Sequence, residues 1–373
     1  MTLRLEKLLA ELCPDGVPYV AIKNCFTRLK GTPITAAKMK EIDNPNGDIR
    51  IFAGGKTVIN AREKDIPNAN VTSVPAVLVQ SRGIIDFIYY EKPFTFKNEM
   101  WAYTADNKTT VKYLYYVLQN NAQHFRDSAS GMGSLPQISL PVTEDFKIPV
   151  PPLKVQAEIV RILDNFTELT AELTAELTAR KKQYEYYRNQ LFTNHNTYET
   201  LALKDICSIS RGDYITKKDV AEGNIPVILG GQEPAYYCDR SNHSGEAVVI
   251  SRSGAYAGFV SYWNEPIFVT DGFAYEGKNG LKTRYLYFAL KNMQEKLHKM
   301  KKGGGIPHVQ GKELEKIKIP VPPMEEQERI VELLDRFDKL CNDISEGLPA
   351  EIEARRKQYE YYRDKLLTFT PKG

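Results

Sequence analysis

KIPVPPLKVQAEIVRILDNF at Lys147 to Phe166 returns as KIPVPPMEEQERIVELLDRF at Lys318 to Phe337, and ARKKQYEYYRNQL (Ala179 to Leu191) returns as ARRKQYEYYRDKL (Ala354 to Leu366). Matches of this length do not arise from composition, so the chain reads as a tandem duplication. Each copy opens with prolines: Pro149, Pro151 and Pro152 in the first, Pro320, Pro322 and Pro323 in the second. Proline forces extended backbone until the last of them sits at a helix start. An apolar stripe then predicts one long helix per copy. In the first it runs Ile159, Ile162, Phe166, Leu169, Leu173, Leu177, Tyr184, Tyr187, Leu191; in the second Ile330, Leu333, Phe337, Leu340, Ile344, Leu348, Ile352, Tyr359, Tyr362, Leu366. Steps of three, four and seven keep one narrow face apolar, the pattern of a helix that buries a seam against another helix. The two copies suit each other as partners.

The copies differ in length. They stand 171 residues apart at Ile148 and Ile319 but 175 apart at Tyr184 and Tyr359, so the second carries four extra residues and one extra apolar step. The first fills its middle with Thr170-Ala171-Glu172-Leu173 and Thr174-Ala175-Glu176-Leu177, after a degenerate unit at Thr167 to Leu169. Four residues make slightly more than one helical turn, about 6 Å of rise, so a unit added or deleted changes length while roughly keeping the face. Such a repeat acts as an adjustable ruler. Gly347-Leu348-Pro349 predicts a stop and restart in the second copy.

The globular stretches repeat more loosely. VAIKNCFTRLKGTPIT (Val20 to Thr35) is matched by LALKDICSISRGDYIT (Leu201 to Thr216), with Gly31 on Gly212. GDIRIFAGG matches GNIPVILGG, AVLVQSRG (Ala76 to Gly83) matches AVVISRSG (Ala247 to Gly254), YLYYVL matches YLYFAL, and GSLPQIS matches GGIPHVQ around Pro136 and Pro307. Short β-branched and aromatic runs between Gly, Asn and Pro predict strands, followed by a helix at about Thr110 to Asn121. Internal similarity is strongest in the long helices. That is expected if the helices dock one repeated partner while the globular units each read something different.

At 373 residues the chain is long enough for two or three domains. A net charge of +3 and a pI near 8.3 leave any nucleic-acid contact to local patches. Five cysteines without a C-x-x-C pair argue against a disulfide framework and a structural zinc site, so a reduced cytoplasm is the expected compartment. MTLRLEKLLAEL is amphipathic and charged, unlike a signal peptide, and no apolar run has the length of a membrane span. Enzyme motifs are missing. Gly55-Lys56-Thr57 imitates the end of a phosphate loop, but its first Gly would fall at Arg50. The five histidines are scattered, with no H-E-x-x-H pair. Around the paired prolines, Val150-Pro151-Pro152-Leu153 and Val321-Pro322-Pro323-Met324 share only those prolines with the Asn/Asp-Pro-Pro-Tyr/Phe motif of DNA aminomethyltransferases.

Globular unit, IPVPP-led helix, second globular unit, second such helix with QYEYYR near its end: over nearly its whole length the chain resembles the DNA-specificity subunit of type I restriction-modification enzymes. The Thr-Ala-Glu-Leu units resemble those of the subclass in which that repeat sets target spacing. The resemblance implies a mixed α/β fold, with two α+β target-recognition domains at 1–145 and 196–315 and spacer helices at 146–195 and 316–373. It implies that the helices form an antiparallel, coiled-coil-like pair separating the domains about an internal pseudo-twofold. Each domain would read half of a split double-stranded DNA target. The helices would dock two methyltransferase subunits and, through the complex, the motor-nuclease subunits. No catalysis is expected in this chain, and S-adenosylmethionine would be held by the methyltransferase.

Physical reasoning is compatible with that picture. A spacer of about forty residues is about 60 Å long if helical, and overlap of two such helices would leave the domain centres roughly one DNA turn, 34–36 Å, apart. Gly-bracketed basic and polar loops are the candidate DNA contacts, since Arg and Lys neutralise phosphates while Gln, Asn and Arg read base edges. These are Arg28, Lys30, Lys56, Gln80, Arg82 and Gln137 in the first unit, and Arg211, Lys217, Lys218, Gln232, Arg252, Lys301, Lys302 and His308 in the second. Trp101 and Trp263 are expected in the core. Tyr184, Tyr186, Tyr187, Tyr359, Tyr361 and Tyr362 cannot all face one seam, so some should point outward to a protein partner. A protein-binding scaffold without DNA and an enzyme with an unrecognised site are the competing readings.

Overall fold

The computed structural model describes residues 3–55, 57–131, 135–193, 198–231, 233–343 and 345–372. The chain forms two compact units, neither continuous in sequence: residues 1–172 with 352–373, and residues 173–351. These boundaries differ from the linear succession of domain and spacer, because each long helix gives its two halves to different units.

Both units carry the same sheets. In unit 1 a four-stranded antiparallel sheet runs in the order Thr27–Leu29, Trp101–Thr104, Ala76–Gln80, Asp86–Tyr90. In unit 2 the order is Cys207–Arg211, Gly272–Gly277, Glu246–Ser251, Val260–Asn264. A three-stranded sheet accompanies each, Val58–Ala61, Ile49–Phe52, Phe94–Phe96 in one and Tyr236–Cys238, Ile225–Ile228, Phe268–Val269 in the other. The central strands AVLVQ and AVVIS are apolar up to their last residue because both faces are covered. Val77 and Val79 join the core under helix Lys108–Asn120, while Ala76 and Leu78 pack with Phe52, Phe94 and Phe96. Val248 and Ile250, against Ala247 and Val249, repeat this two-residue period in unit 2.

The proline segments are edge strands, Lys147–Pro149 on Tyr19–Ala21 and Lys318–Pro320 on Thr200–Ala202. Their carbonyls are held by matched side chains. The buried hydroxyls of Tyr113 and Tyr285 donate to the carbonyls of Pro149 and Pro320 at 3.1 and 3.0 Å, and burial pushes both phenol pKa values up. Gln156 donates to the Pro151 carbonyl at 2.7 Å and Gln327 to that of Pro322 at 2.9 Å, fixing the chain as it enters the helix. Gln327 is the better satisfied: its amide also donates to Gly280 O, and its oxygen accepts from Lys282 N, both at 2.9 Å. The buried Gln156 Oε1 has no partner among the described residues. Because a stranded buried donor or acceptor costs about 1–3 kcal/mol, Gln327→Leu is expected to lower the thermal midpoint clearly more than Gln156→Leu. Equal shifts in a melting experiment would refute this.

The first long helix, Leu153–Thr193, is continuous over 41 residues. The second copy is two helices, Met324–Asn342 and Leu348–Leu367, and between them Asp343 Oδ1 accepts from the backbone N–H of Ser345 and Glu346. The predicted stop and restart are therefore present. Ile344 of the stripe lies outside the described residues.

Within each unit the helix segments run antiparallel. In unit 1, Val17 N donates to Thr370 O at 2.9 Å and Val150 N to Pro18 O at 2.9 Å, which sets the end of Leu348–Leu367 beside the start of Leu153–Thr193. Further along, Phe166 stacks on Tyr362 with ring centroids 5.6 Å apart and meets Tyr359 edge-on at 6.4 Å. In unit 2, Tyr184 stacks on Phe337 at 6.0 Å, and Val321 N donates to Glu199 O at 3.0 Å. The same arginine of QYEYYR fastens each segment to a globular part: Arg363 Nε donates to Asn120 Oδ1 at 2.7 Å, and Arg188 Nε to Asn292 Oδ1 at 3.3 Å.

A second matched clamp lies nearby. Lys112 pairs with Asp164 at 2.8 Å beside Tyr89, and Arg284 pairs with Asp335 at 2.6 Å over the ring of Tyr262. The expected stripe is wider near the helix starts and weaker further along. Val155, Val160, Leu163 and Leu334 are buried beside it, whereas Leu169 and Leu340 are 37% and 38% exposed. Near its start each helix is covered by the globular part as well as by the other helix, so the buried face is wider there.

All five cysteines are free thiols. Burial raises Cys25 to about 11 and Cys207 to about 12, leaving them as neutral packing groups. Among the described residues no helix is long and apolar enough to cross a membrane.

Candidate nucleic-acid interface

Each unit opens a groove at the same place. In unit 1 it has a volume of about 610 Å³; the strand end Arg28 to Gly31, residues Asn98 to Trp101 and the loop Gln137 to Leu140 line it. In unit 2 a groove of about 620 Å³ is lined by Ile209, Arg211, Arg252, Phe273, the loop His308 to Lys312, and Glu315. Aligning the repeated sequences puts Lys30 on Arg211 and Gln137 on His308. Trp101 falls on Phe273, since Trp101 pairs with Val79 and Phe273 with Ile250 in equivalent strands.

The backbone at the two mouths is the same. Gly83 N donates to Pro136 O at 2.9 Å and Gly254 N to Pro307 O at 3.0 Å. Ile138 N donates to Ser81 O and Val309 N to Arg252 O, both at 2.9 Å. Gln137 pairs with Ser130, and His308 with Lys302, through backbone bonds in both directions. Gly83 and Gly254 both adopt φ of +80°, which glycine tolerates without strain. On this common frame the side chains differ: Ser81, Arg82 and Gln137 in unit 1 stand where unit 2 has Arg252, Ser253 and His308.

The sequence-predicted contacts separate into groups. Arg28, Lys30 and Gln137 meet at the first groove, where Arg82 is joined to Gln137 by the backbone bridge. Arg211, Arg252 and His308 meet at the second, with Lys302 bridged to His308. Lys30, Arg82, Arg211 and Lys302 are exposed and make no salt bridge among the described residues. Arg28 is engaged by Glu144 at 3.3 Å, and Arg252 lies 3.6 Å from Asp271. Lys217 and Lys218 are exposed but away from these residues; Lys217 lines a separate depression with Tyr236 and Tyr237. Lys56 and Gln232 lie outside the described residues.

Two expectations fail geometrically. Gln80 is only 6% exposed and donates from Nε2 to Gly55 O at 2.6 Å, so it holds a loop from beneath and presents no edge to a ligand. Lys301, in the run KKGGG, donates from Nζ to Ala255 O at 2.6 Å, which spends the cation on a neighbouring loop. Trp101 and Trp263 are half-buried, not core; Trp101 donates to Thr143 Oγ1 at 2.9 Å and floors the first groove. Ser253, Asp271, Gln310 and Lys312 were missed. The match of GSLPQIS to GGIPHVQ ends on Gln310, so the sequence held a signal for that one. Glu313, on the short helix beside the second groove, is held below the ordinary carboxylate range by its hydrogen bond to Lys316 and then by the charge of Lys316.

The tyrosines divide as the periodicity requires. Tyr184, Tyr359 and Tyr362 are taken up by the helix seam, and burial raises the pKa of Tyr184 and Tyr359, which corrects their assignment as partner anchors. Tyr187 leans on Phe337 at 6.0 Å and stays partly exposed. The equivalent residues Tyr186 and Tyr361 project, at 60% and 61% exposure.

Two similar α+β readers on a shared frame, each fastened to long helices, define a duplicated recognition module. The family "Type I restriction modification DNA specificity domain" matches residues 14–180 and 195–354. The chain belongs to that family, whose role within the restriction-modification system is sequence specificity without catalysis. It is 36% identical over 356 residues to the type I restriction enzyme EcoR124I/EcoR124II specificity subunit of Escherichia coli, covering 86% of this chain and 87% of that protein. Identity to the MpnII specificity subunit of Mycoplasma pneumoniae is 31% over 314 residues, 63% of this chain and 92% of that one. The fold matches the crystal structure of a type I restriction-modification S subunit from M. genitalium with a TM-score of 0.68 at 19% identity, over 94% of this chain and 96% of that one.

Proposed function

We propose that each globular domain reads one half of a bipartite double-stranded DNA sequence through its groove. The helices set the gap between the halves and dock two methyltransferase subunits, with motor-nuclease subunits joining through the complex. S-adenosylmethionine is bound by the methyltransferase, and the assembly works in the cytoplasm. The observation that carries this reading is the pair of grooves with one backbone frame and unlike side chains. That is what two readers of different sequence need if they approach one kind of ligand in one pose. Arg28, Lys30, Arg82, Arg211, Arg252 and Lys302 supply phosphate and base contacts, while the projecting Tyr186 and Tyr361 occupy equivalent places for a partner present twice. The Thr-Ala-Glu-Leu units support membership of the subclass whose repeat sets the gap.

Co-expression with its methyltransferase subunit, followed by sequencing of modified bases, is expected to give a two-part motif with a fixed gap. Duplex binding should weaken steeply with salt, as counterion release at phosphates requires. A single continuous motif, or binding indifferent to salt, would count against the proposal.

A further inference from the structure

Ser253 stands between a carboxylate and an imidazole at the mouth of the second groove. Its Oγ donates to Asp271 Oδ1 at 3.0 Å, and the same oxygen lies 2.8 Å from His308 Nδ1. A hydroxyl has one proton to give. With that proton directed at Asp271, the serine oxygen is an acceptor toward the ring, so Nδ1 carries a hydrogen, and whenever the ring is uncharged Nε2 keeps its lone pair. The ring is also held from its backbone, which bonds to Lys302 in both directions at 2.9 Å and bridges Ser253. Nε2 has no hydrogen-bond partner among the described residues, and His308 lines the groove with Arg211 and Arg252.

We propose that His308 is a specificity-determining residue locked in one tautomer, whose bare Nε2 accepts a hydrogen bond from the exocyclic amino group of adenine or cytosine. This rests on the groove being the DNA-reading face. A lone pair has nothing to offer a phosphate oxygen, which is also an acceptor, so the tautomer argues for base reading over backbone positioning. In the major groove the only donors on base edges are the amino groups of adenine and cytosine. Unit 1 has no such relay: Arg82 occupies the place of Ser253 and Gln137 that of His308, so the domains differ in chemistry at one shared point of the frame.

The test is the methylation motif of the full chain co-expressed with its methyltransferase subunit, compared with Ser253→Ala, His308→Gln and His308→Phe. Expected is one adenine or cytosine position, in one half-site only, that becomes degenerate in Ser253→Ala and His308→Phe, with about tenfold less methylation at the original sites. His308→Gln keeps an acceptor and should retain more of the preference. The other half-site and the gap serve as internal controls, because a variant that merely unfolds loses methylation everywhere without changing the motif. In that case His308→Gln against His308→Phe decides the matter. Uniform loss with an unaltered motif in both, or no change in any variant, overturns the role of His308. A wild-type chain without a bipartite motif would instead overturn the underlying reading.

Discussion

Deleting Thr174 to Leu177 is expected to leave both half-sites unchanged and to shorten the gap between them by one to two base pairs, with loss of methylation at the original target. Four residues remove about 6 Å of helix and leave a rotation of roughly 40°, so the helix beyond the deletion keeps nearly the same face. The boundary between the compact units falls at Glu172 and Leu173, inside the repeats. The tertiary anchors lie on either side: Val155 to Phe166 in unit 1, and Tyr184 to Phe192 in unit 2. Between them Leu169 is exposed and Leu173 and Leu177 are half-buried, while Thr170 and Thr178 donate to the carbonyls of Phe166 and Thr174 within the helix. A segment whose leucines are exposed or only half-buried changes length without dismantling either core. Sequencing of modified bases reads the outcome directly. An unchanged gap would mean that this helix does not set the spacing, and altered half-sites would mean that the repeats take part in reading.

Gly31→Ala and Gly212→Ala are expected to cost about 3 kcal/mol or more each, beyond the usual penalty for overpacking, and to abolish reading by the domain concerned. Flexibility is not the reason. A Cβ at Gly31 would lie 2.2 Å from Phe96 O and 2.8 Å from its ring, and one at Gly212 would lie 2.6 Å from Thr270 O. The nearest neighbours are backbone carbonyls, of Phe96 at the end of its strand and of Thr270 just after Phe268–Val269, so neither can yield without moving the backbone. Lys30 and Arg211 precede the two glycines, which ties the damage to the groove. Thermal unfolding would show the loss as a drop of several degrees. An alanine variant as stable as the parent chain would contradict the close approach at that glycine.

Several of these features were legible in the residues. The strand runs AVLVQ and AVVIS, the proline brakes and the outline of the helical stripe are local consequences of side-chain size and φ, and the strands and brakes appear where expected. The division of the tyrosines was anticipated in kind, since three tyrosines within four residues cannot share a seam. Individual contacts were less legible. Gln80 reads like an exposed amide at a strand end, yet the loop at Gly54 and Gly55 covers it. Lys301 looks free in a glycine-rich run until Ala255, far away in sequence, presents its carbonyl. Whether a polar group meets solvent depends on what folds over it, and local composition carries no trace of that.

From the residues alone came the duplication, the alternation of globular part and long helix, and the kinship to DNA-specificity subunits, because repeated length and periodicity survive in one dimension. Tertiary structure alone decided how the duplicated parts are shared. Arg363, in the second helical copy, fastens to Asn120 of the first globular part, and Arg188, in the first copy, to Asn292 of the second. Segments running antiparallel bring the end of one copy to the start of the other, so each domain is completed by residues that its own repeat does not contain.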